Sequence, residues 1–171
     1  LLVGSGLLIR SFLKVLDVDL GFRPESVVAL RVDPDENAIK SDQEWIAYID
    51  NVLRVVRGLP GVSSATIADG LPLGSNRSWG ITRGGDEYVK GRYQAGFIRV
   101  ASDGFVDAMG MRLLKGRDFT TQDVKGGEAI VIINEGAEKA FWPGESSLGK
   151  ILRVGGKDRR IVGIVGDVKN L

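Results

Sequence analysis

The clearest pattern in the chain is an apolar stripe at helical spacing that follows a helix-start signal. Ser41 and Glu44 form the S-x-x-E pattern of a capping box, in which each side chain binds a backbone amide left free at the start of a helix. Gly58 and Pro60 are expected to end the helix. The stripe between these signals predicts an amphipathic helix, and its members are Trp45, Ile46, Ile49, Val52, Leu53 and Val56.

Two β-rich runs flank this predicted helix. Val27 to Val32 and Val62 to Ala68 are rich in β-branched residues and are bounded by turn-forming residues. A strand, a helix and a strand in this order predict a β-α-β unit in the first third of the chain.

The later part of the chain predicts further short elements. Residues 74–92 are rich in glycine and polar residues and predict turns with short strands, whereas residues 93–100 predict a strand. Ser102 is expected to cap a short helix that stops at Gly110. After an apolar strand over residues 129–133, Asn134 is expected to cap a helix that runs to Phe141. Residues 150–154 and 159–165 predict a hairpin with a Gly-Gly turn.

Together these elements predict an α+β fold with two lobes. We expect a β-α-β lobe with split ferredoxin-like pairing over residues 21–110, with a Gly-rich insertion around residues 74–92. A mostly β second lobe with one short helix would follow over residues 111–171.

Residues 1–20 allow three interpretations. The chain starts with Leu1, not Met, which predicts a piece of a longer protein or a processed one. Nine uncharged residues precede Arg10, and nine residues of helix rise only ~14 Å, about half of a ~30 Å hydrocarbon core. The segment could be the end of a transmembrane helix, the remnant of a signal peptide, or a buried amphipathic helix; spacing alone favours the last.

The amino-acid composition limits the catalytic and binding chemistry that the chain could perform. The 171 residues contain 23 Lys and Arg against 22 Asp and Glu, so the net charge is +1, which gives no electrostatic footprint for nucleic acid. Cysteine and histidine are both absent, which removes thiol nucleophiles, disulfides, imidazole bases and the usual zinc ligands. We therefore expect no catalytic site and no cofactor.

A five-residue motif is the most enzyme-like feature. Gly84-Gly85-Asp86-Glu87-Tyr88 is similar to the GGDEF signature of diguanylate cyclases, in which a glycine-rich hairpin holds GTP phosphates beside metal-binding carboxylates. The preceding run, residues 62–68, lacks the second carboxylate, and a strand is predicted after the motif where a helix should follow. A surface hairpin turn is the favoured interpretation, and a nucleotide cyclase is the remote alternative.

A calcium loop is the only candidate metal site. Asp33, Asp35, Asn37 and Glu44 occupy positions 1, 3, 5 and 12 of a calcium-loop template. Position 6, which needs glycine for its sharp turn, is Ala38, and Glu44 already has a role in the capping box. The turn and cap explain all four residues, so calcium is the weaker hypothesis.

A basic cluster and an aromatic pair have structural explanations. The cluster lies on the predicted hairpin without interleaved aromatic residues, which favours a solvated strand face over a phosphate or lipid site. Trp142, beside Phe141 at a helix end, is expected in the core. The cluster comprises Lys150, Arg153, Lys157, Arg159 and Arg160.

Three longer stretches, in order along the chain, carry a family resemblance. Residues 103–119 resemble a GYFxxMGIxLLxGRxF pattern, residues 132–150 resemble VVINExxAxxFWPGxxPxGK, and residues 160–168 are similar to xxVVGVVGDV. These patterns belong to the MacB-like periplasmic core domain of ABC transporter permeases of the MacB/FtsX-like type. Residues 59–62 and 71–73 match its first half, and residues 6–12 are similar to the end of a membrane helix that leads into it.

The resemblance implies a non-catalytic extracytoplasmic domain of an inner-membrane permease. In this family, ATP-driven changes in membrane helices are relayed to a domain with a porter-like lobe and a mostly β, sabre-like lobe, for export or for partner proteins. It implies a cytoplasmic ATP-binding domain or subunit, a homodimer through the full-length permease, and a periplasmic adaptor as a further partner. It also favours residues 1–20 as the stub of a membrane span.

A free-standing periplasmic binding module is the alternative to the permease. It would share the same fold and differ in the sequence that surrounds this chain, where a permease needs apolar runs of ~20 residues.

Overall fold

The computed structural model describes Arg10 and residues 20–34, 39–72, 74, 77–87, 93–123 and 126–169. Within these ranges, no helix combines the length and the apolar character that crossing a bilayer requires. The predicted membrane stub over residues 1–20 lies almost entirely outside the described residues.

Within the described ranges, the named elements are three helices and six strands, together with a short 3₁₀ helix at Pro24–Ser26. The helices are α1 (Asp42–Arg57), α2 (Phe105–Ala108) and α3 (Glu135–Phe141). The strands are β1 (Arg77–Arg83), β2 (Gln94–Ile98), β3 (Leu113–Gly116), β4 (Ile130–Asn134), β5 (Ile151–Val154) and β6 (Lys157–Val165). The predicted α+β class is confirmed.

All six strands belong to one sheet that is organised by β6. The order is β2-β1-β5-β6-β3, and β4 pairs with β6 outside this path. The first part of β6 pairs with β5 as the predicted hairpin, and its last part pairs antiparallel with β3. Strand β4 runs parallel to β6 along Arg160 to Val165. The predicted strands at residues 129–133 and 93–100 are confirmed as β4 and β2.

The main core lies on β1, β4, β5 and β6. Trp142, which follows α3, packs into it with 7% of its surface exposed, so its predicted core position is confirmed. Ile161 and Ile164 of β6 are almost completely buried. The buried members of this cluster are Ile81, Ile133, Trp142, Leu152, Val154, Ile161 and Ile164.

Helix α1 forms where the capping box and the apolar stripe predict it. The amide of Glu44 donates to Ser41 Oγ at 3.2 Å, and the helix ends at Gly58. The Glu44 carboxylate accepts from the amide of Lys40 at 2.6 Å, one residue earlier than the capping box predicts. Leu53 is the one fully buried residue of the helix, and Trp45 remains 43% exposed.

The two strands predicted beside α1 are not formed. Residues 27–32 have no strand pairing among the described residues, and Val28 is 85% exposed. Residues 62–68 make a single bridge, between Ala68 and Ala101. The prediction that these residues form hydrogen-bonded strands was wrong in both cases. A run with high β propensity forms a strand only where a neighbouring strand provides hydrogen-bond partners.

The start of α2 is also stabilised differently from the prediction. Ser102 was predicted as its cap, but Ser102 Oγ instead accepts from the amide of Ile67 at 3.0 Å. The cap position is Gly104, and the carboxylate of Asp118 accepts from the amides of Val106 and Asp107 at 2.9 and 3.2 Å. A residue that is distant in sequence therefore binds the free amides at the start of this helix.

The two lobes predicted at residues 21–110 and 111–171 contribute strands that pair with each other in one sheet. Strand β1, which lies inside the predicted Gly-rich insertion, pairs with β5 through Ile81 and Val154. The β1–β2 hairpin is therefore continuous with the sheet of the second predicted lobe. The lobe boundaries themselves stay a prediction.

We predict that Asp118→Ala lowers the free energy of unfolding by about 1–3 kcal/mol, because three backbone amides lose a charged acceptor. Urea unfolding followed by tryptophan fluorescence measures this change. Asp86→Ala is the matched control, since it removes only an exposed ion pair with Arg83 that is worth about 0–1 kcal/mol. Equal losses in the two variants would contradict the capping role of Asp118.

Candidate functional site

The predicted calcium ligands are only partly described. Asp33 is paired with Arg31 at 2.8 Å, and Glu44 accepts from the amide of Lys40. Asp35 and Asn37 lie outside the described residues. Across the described ranges, no three Asp or Glu side chains are grouped as a metal would require. The calcium hypothesis stays a prediction, with two of its four ligands engaged elsewhere.

The cyclase-like motif forms a turn after β1. The amide of Asp86 donates to the carbonyl of Arg83 at 3.2 Å, and Arg83 Nε donates to the Asp86 carboxylate at 3.0 Å. The amide of Gly84 donates to the carbonyl of Ile151 at 2.7 Å, which holds the turn against β5. Tyr88 lies outside the described residues. Residues 84–86 form the predicted turn, and the next described element is the strand β2.

The basic cluster on the hairpin is compensated by neighbouring carboxylates. Arg153 binds Asp158 at 2.7 and 3.1 Å. Lys150 pairs with Glu145 at 2.5 Å, and Arg160 pairs with Glu128 at 2.6 Å. Arg159 donates to the carbonyl of Val154 at 2.8 Å. This arrangement fits the predicted solvated strand face, because a site for phosphate would leave such charges available.

A buried carboxylate fixes the chain that follows α3. One oxygen of Glu138 accepts from both the amide and the hydroxyl of Ser147, at 2.8 and 3.0 Å. The other oxygen accepts from Lys115 of β3 at 2.9 Å. The hydrogen bond from the Ser147 amide is the main cause that holds the pKa of Glu138 below its usual range, with further lowering by Lys115. This role was not predicted from the sequence, because Lys115 and Ser147 are separated from Glu138 along the chain.

A second carboxylate organises the turn after β3. Arg117 donates two hydrogen bonds to Asp123, at 2.6 and 2.8 Å, and the amide of Thr120 donates to the same carboxylate at 2.8 Å. These bonds, led by that from Arg117, lower the pKa of Asp123 to about 2. A general acid at neutral pH needs a raised carboxyl pKa, so Asp123 and Glu138 are suited to structural roles.

A cavity with a volume of about 170 Å³ lies beside β1 and β2. Asp69 accepts from the amide of Val100 at 2.9 Å and is paired with Arg77. Burial lowers the pKa of Arg99, whose guanidinium donates to the carbonyl of Leu71 at 3.3 Å. The charged groups of this cavity therefore fasten residues 69–71 to the β1–β2 hairpin. The cavity is lined by Asp69, Gly70, Arg77, Ile98 and Arg99.

Exposed apolar side chains are the remaining unusual feature. Val28 and Leu30 are 85% and 78% exposed, and Trp45 and Ile46 extend the apolar surface of α1. On the β1–β2 hairpin, Phe97 is 54% exposed. Exposed apolar surface of this kind is typical of contacts with other protein segments. The described residues thus offer surfaces for contact and no reactive cluster.

The chain resembles known transporter domains over nearly its whole length. The MacB-like periplasmic core domain family matches residues 3–170. The macrolide export ATP-binding/permease protein MacB of Aggregatibacter actinomycetemcomitans is 26% identical over 141 residues, which cover 68% of this chain and 22% of that protein. The chain spans 10% to 35% of the length of the curated relatives that it matches.

Two solved structures share the fold. The periplasmic region of MacB from Actinobacillus actinomycetemcomitans matches with a TM-score of 0.51 and 21% identity, over 71% of this chain and 52% of that one. The extracellular domain of the ABC-type transporter YknZ from Gram-positive bacteria matches with a TM-score of 0.50 and 20% identity, over 78% of this chain and 67% of that one.

The fold and these matches define an extracytoplasmic domain of an ABC transporter permease. The chain belongs to the MacB-like periplasmic core domain family. This family membership agrees with the predicted role as a non-catalytic domain of a permease. The sequence itself contains no G-x-x-x-x-G-K-[ST] phosphate-binding motif.

We predict that Glu138→Gln lowers the free energy of unfolding at pH 7 by about 1–2 kcal/mol, because the ionised carboxylate has the stronger hydrogen bonds. Since the pKa of Glu138 is lowered in the folded state, its contribution is complete above about pH 4.5 and is lost as the pH falls through the folded-state value. The difference between wild type and variant should therefore shrink in acid. Urea titrations at several pH values measure it.

Glu135→Gln is the control for this experiment, because Glu135 lies on the same helix in an exposed pair with Lys139. We expect a change within about 0.5 kcal/mol at pH 7. A difference between wild type and Glu138→Gln that persists unchanged in acid would refute the role given to the Glu138 charge.

Proposed function

We propose that this domain relays ATP-driven motion of membrane helices to the extracytoplasmic side, for export or for partner proteins. The observation that carries the proposal is the family match over residues 3–170, which covers the chain almost completely. Support comes from the hydrogen-bonded sheet and from carboxylates that fasten its loops, as at Glu138 and Ser147. A relay needs stiff elements that move together and does not need reactive groups.

We further propose the assembly in which the relay works. Its ATP-binding partner is a cytoplasmic domain or subunit of the same transporter, and the full-length permease is a homodimer anchored in the inner membrane. A periplasmic adaptor would contact the exposed apolar residues, which include Val28, Leu30 and Trp45. The two predicted lobes, residues 21–110 and 111–171, would move together, because β1 and β5 join them in one sheet.

We predict a nucleotide-dependent distance change between the two domains of the dimer. Lys157, an exposed residue at the start of β6, is replaced by cysteine and spin-labelled in the full-length transporter; the described domain brings no cysteine of its own. Pulsed electron paramagnetic resonance then compares the nucleotide-free state with the state that holds a non-hydrolysable ATP analogue. A relay requires a shift in the distance distribution between these states.

The isolated domain, labelled at the same position, is the control and should not respond to nucleotide. An unchanged distribution in the full-length protein would reject the relay.

A further inference from the structure

Residues 20–23 make close contact with the chain that leaves β6. The amide of Lys169 donates to the carbonyl of Leu20 at 3.0 Å. Gly21 has a φ of +78°, and a Cβ atom at this position would lie 2.1 Å from the carbonyl oxygen of Asp167 and 3.0 Å from Cα of Val168. Glycine is therefore required here for two reasons, backbone conformation and lack of space.

The same segment also contacts the chain that follows α2. The amide of Arg23 donates to the carbonyl of Met109 at 3.0 Å, and the Arg23 side chain lies against Gly110. The amide of Gly166 donates in turn to the carbonyl of Arg112 at 2.9 Å. Three chain segments that are distant in sequence thus meet at one place.

Asp167 connects this meeting point to the centre of the sheet. Its carboxylate accepts from the side-chain amide of Asn134 at 2.6 Å and from the backbone amide of Gly136 at 2.8 Å. Asn134 ends β4 and also caps α3 through the amide of Ala137. Because Asp167 lies two residues beyond the end of β6, its carboxylate joins the ends of two parallel strands to the start of a helix.

We propose that residues 20–23 and 166–169 form a mechanical junction, which transmits displacement of the chain before Leu20 to β6. Strand β6 pairs with β3, β4 and β5, so a pull applied there reaches most of the sheet. The point of transmission is the close approach of Gly21 to Asp167. This inference rests on the proposed relay and adds the residues through which the relay enters the sheet.

Hydrogen exchange of the isolated domain tests whether the junction exists. Gly21→Ala should separate the two segments and speed exchange of the Lys169 amide by about tenfold or more, because that amide loses its acceptor. Gly61→Ala is the matched control, since Gly61 has a φ of +84° but nothing within 4 Å of an added Cβ. Equal acceleration by both variants would overturn the junction.

A crosslinking measurement decides the same question if Gly21→Ala does not fold. Leu20→Cys combined with Lys169→Cys should be joined by a short thiol crosslinker, because a backbone hydrogen bond connects these residues. Leu20→Cys combined with Lys157→Cys is the control pair. No difference in crosslinking between the two pairs would overturn the junction.

The labelled full-length transporter separates the junction from the relay. In a Lys157→Cys background, Gly21→Ala should abolish most of the nucleotide-dependent shift, whereas Gly61→Ala should retain it. A shift in wild type that Gly21→Ala leaves intact overturns the transmission role while the relay stands. If wild type itself shows no shift, both the relay and the transmission role are overturned, and exchange alone decides whether the junction exists.

Discussion

The fold depends on the burial of one nine-residue strand. Strand β6 supplies hydrogen-bond partners to β3, β4 and β5, so its backbone groups are satisfied by three strands from different parts of the chain. Its side chains, led by Ile161 and Ile164, carry the centre of the apolar core. Gly163 lets the chain at Arg117 approach closely, since a Cβ there would lie 2.4 Å from the Arg117 carbonyl oxygen. A larger residue at position 163 would open this contact.

Around this strand, polar groups serve to fasten loops. Glu138 binds the amide and hydroxyl of Ser147, Asp118 binds the start of α2, and Asp123 binds Arg117 and Thr120. Each carboxylate accepts several hydrogen bonds, and for Glu138 and Asp123 these bonds lower the pKa and so favour the ionised form. These three acidic residues thus hold the structure together. This agrees with a domain that works through contact and movement.

The parts of the fold that could be predicted are those with local signals. Helix α1 follows from residue spacing and from Ser41, and the β5–β6 hairpin follows from alternation around Gly155 and Gly156. The parallel pairing of β4 with β6 could not be predicted, because no local pattern states which strands become neighbours. The cap of α2 escaped prediction for the same reason, since Asp118 is separated from Val106 along the sequence.

The failed prediction at residues 27–32 has a different cause. Val28 and Leu30 have the β propensity that indicates a strand, but among the described residues no neighbour provides hydrogen-bond partners. Family membership, by contrast, was predictable, because motifs such as residues 160–168 are specific when they occur in order. The calcium hypothesis had only a spacing match, which is weak without the required glycine at position 38.

The way in which β6 is paired also has a consequence for how the domain folds. Its contact with β5 closes only the Gly155-Gly156 turn, whereas its contact with β3 must close a loop from Gly116 to Gly163. Closing the longer loop costs more chain entropy. The β5–β6 hairpin is therefore expected to form early and to act as the template on which β4 and β3 assemble. During synthesis, the last described strand would have to emerge before the central sheet could be completed.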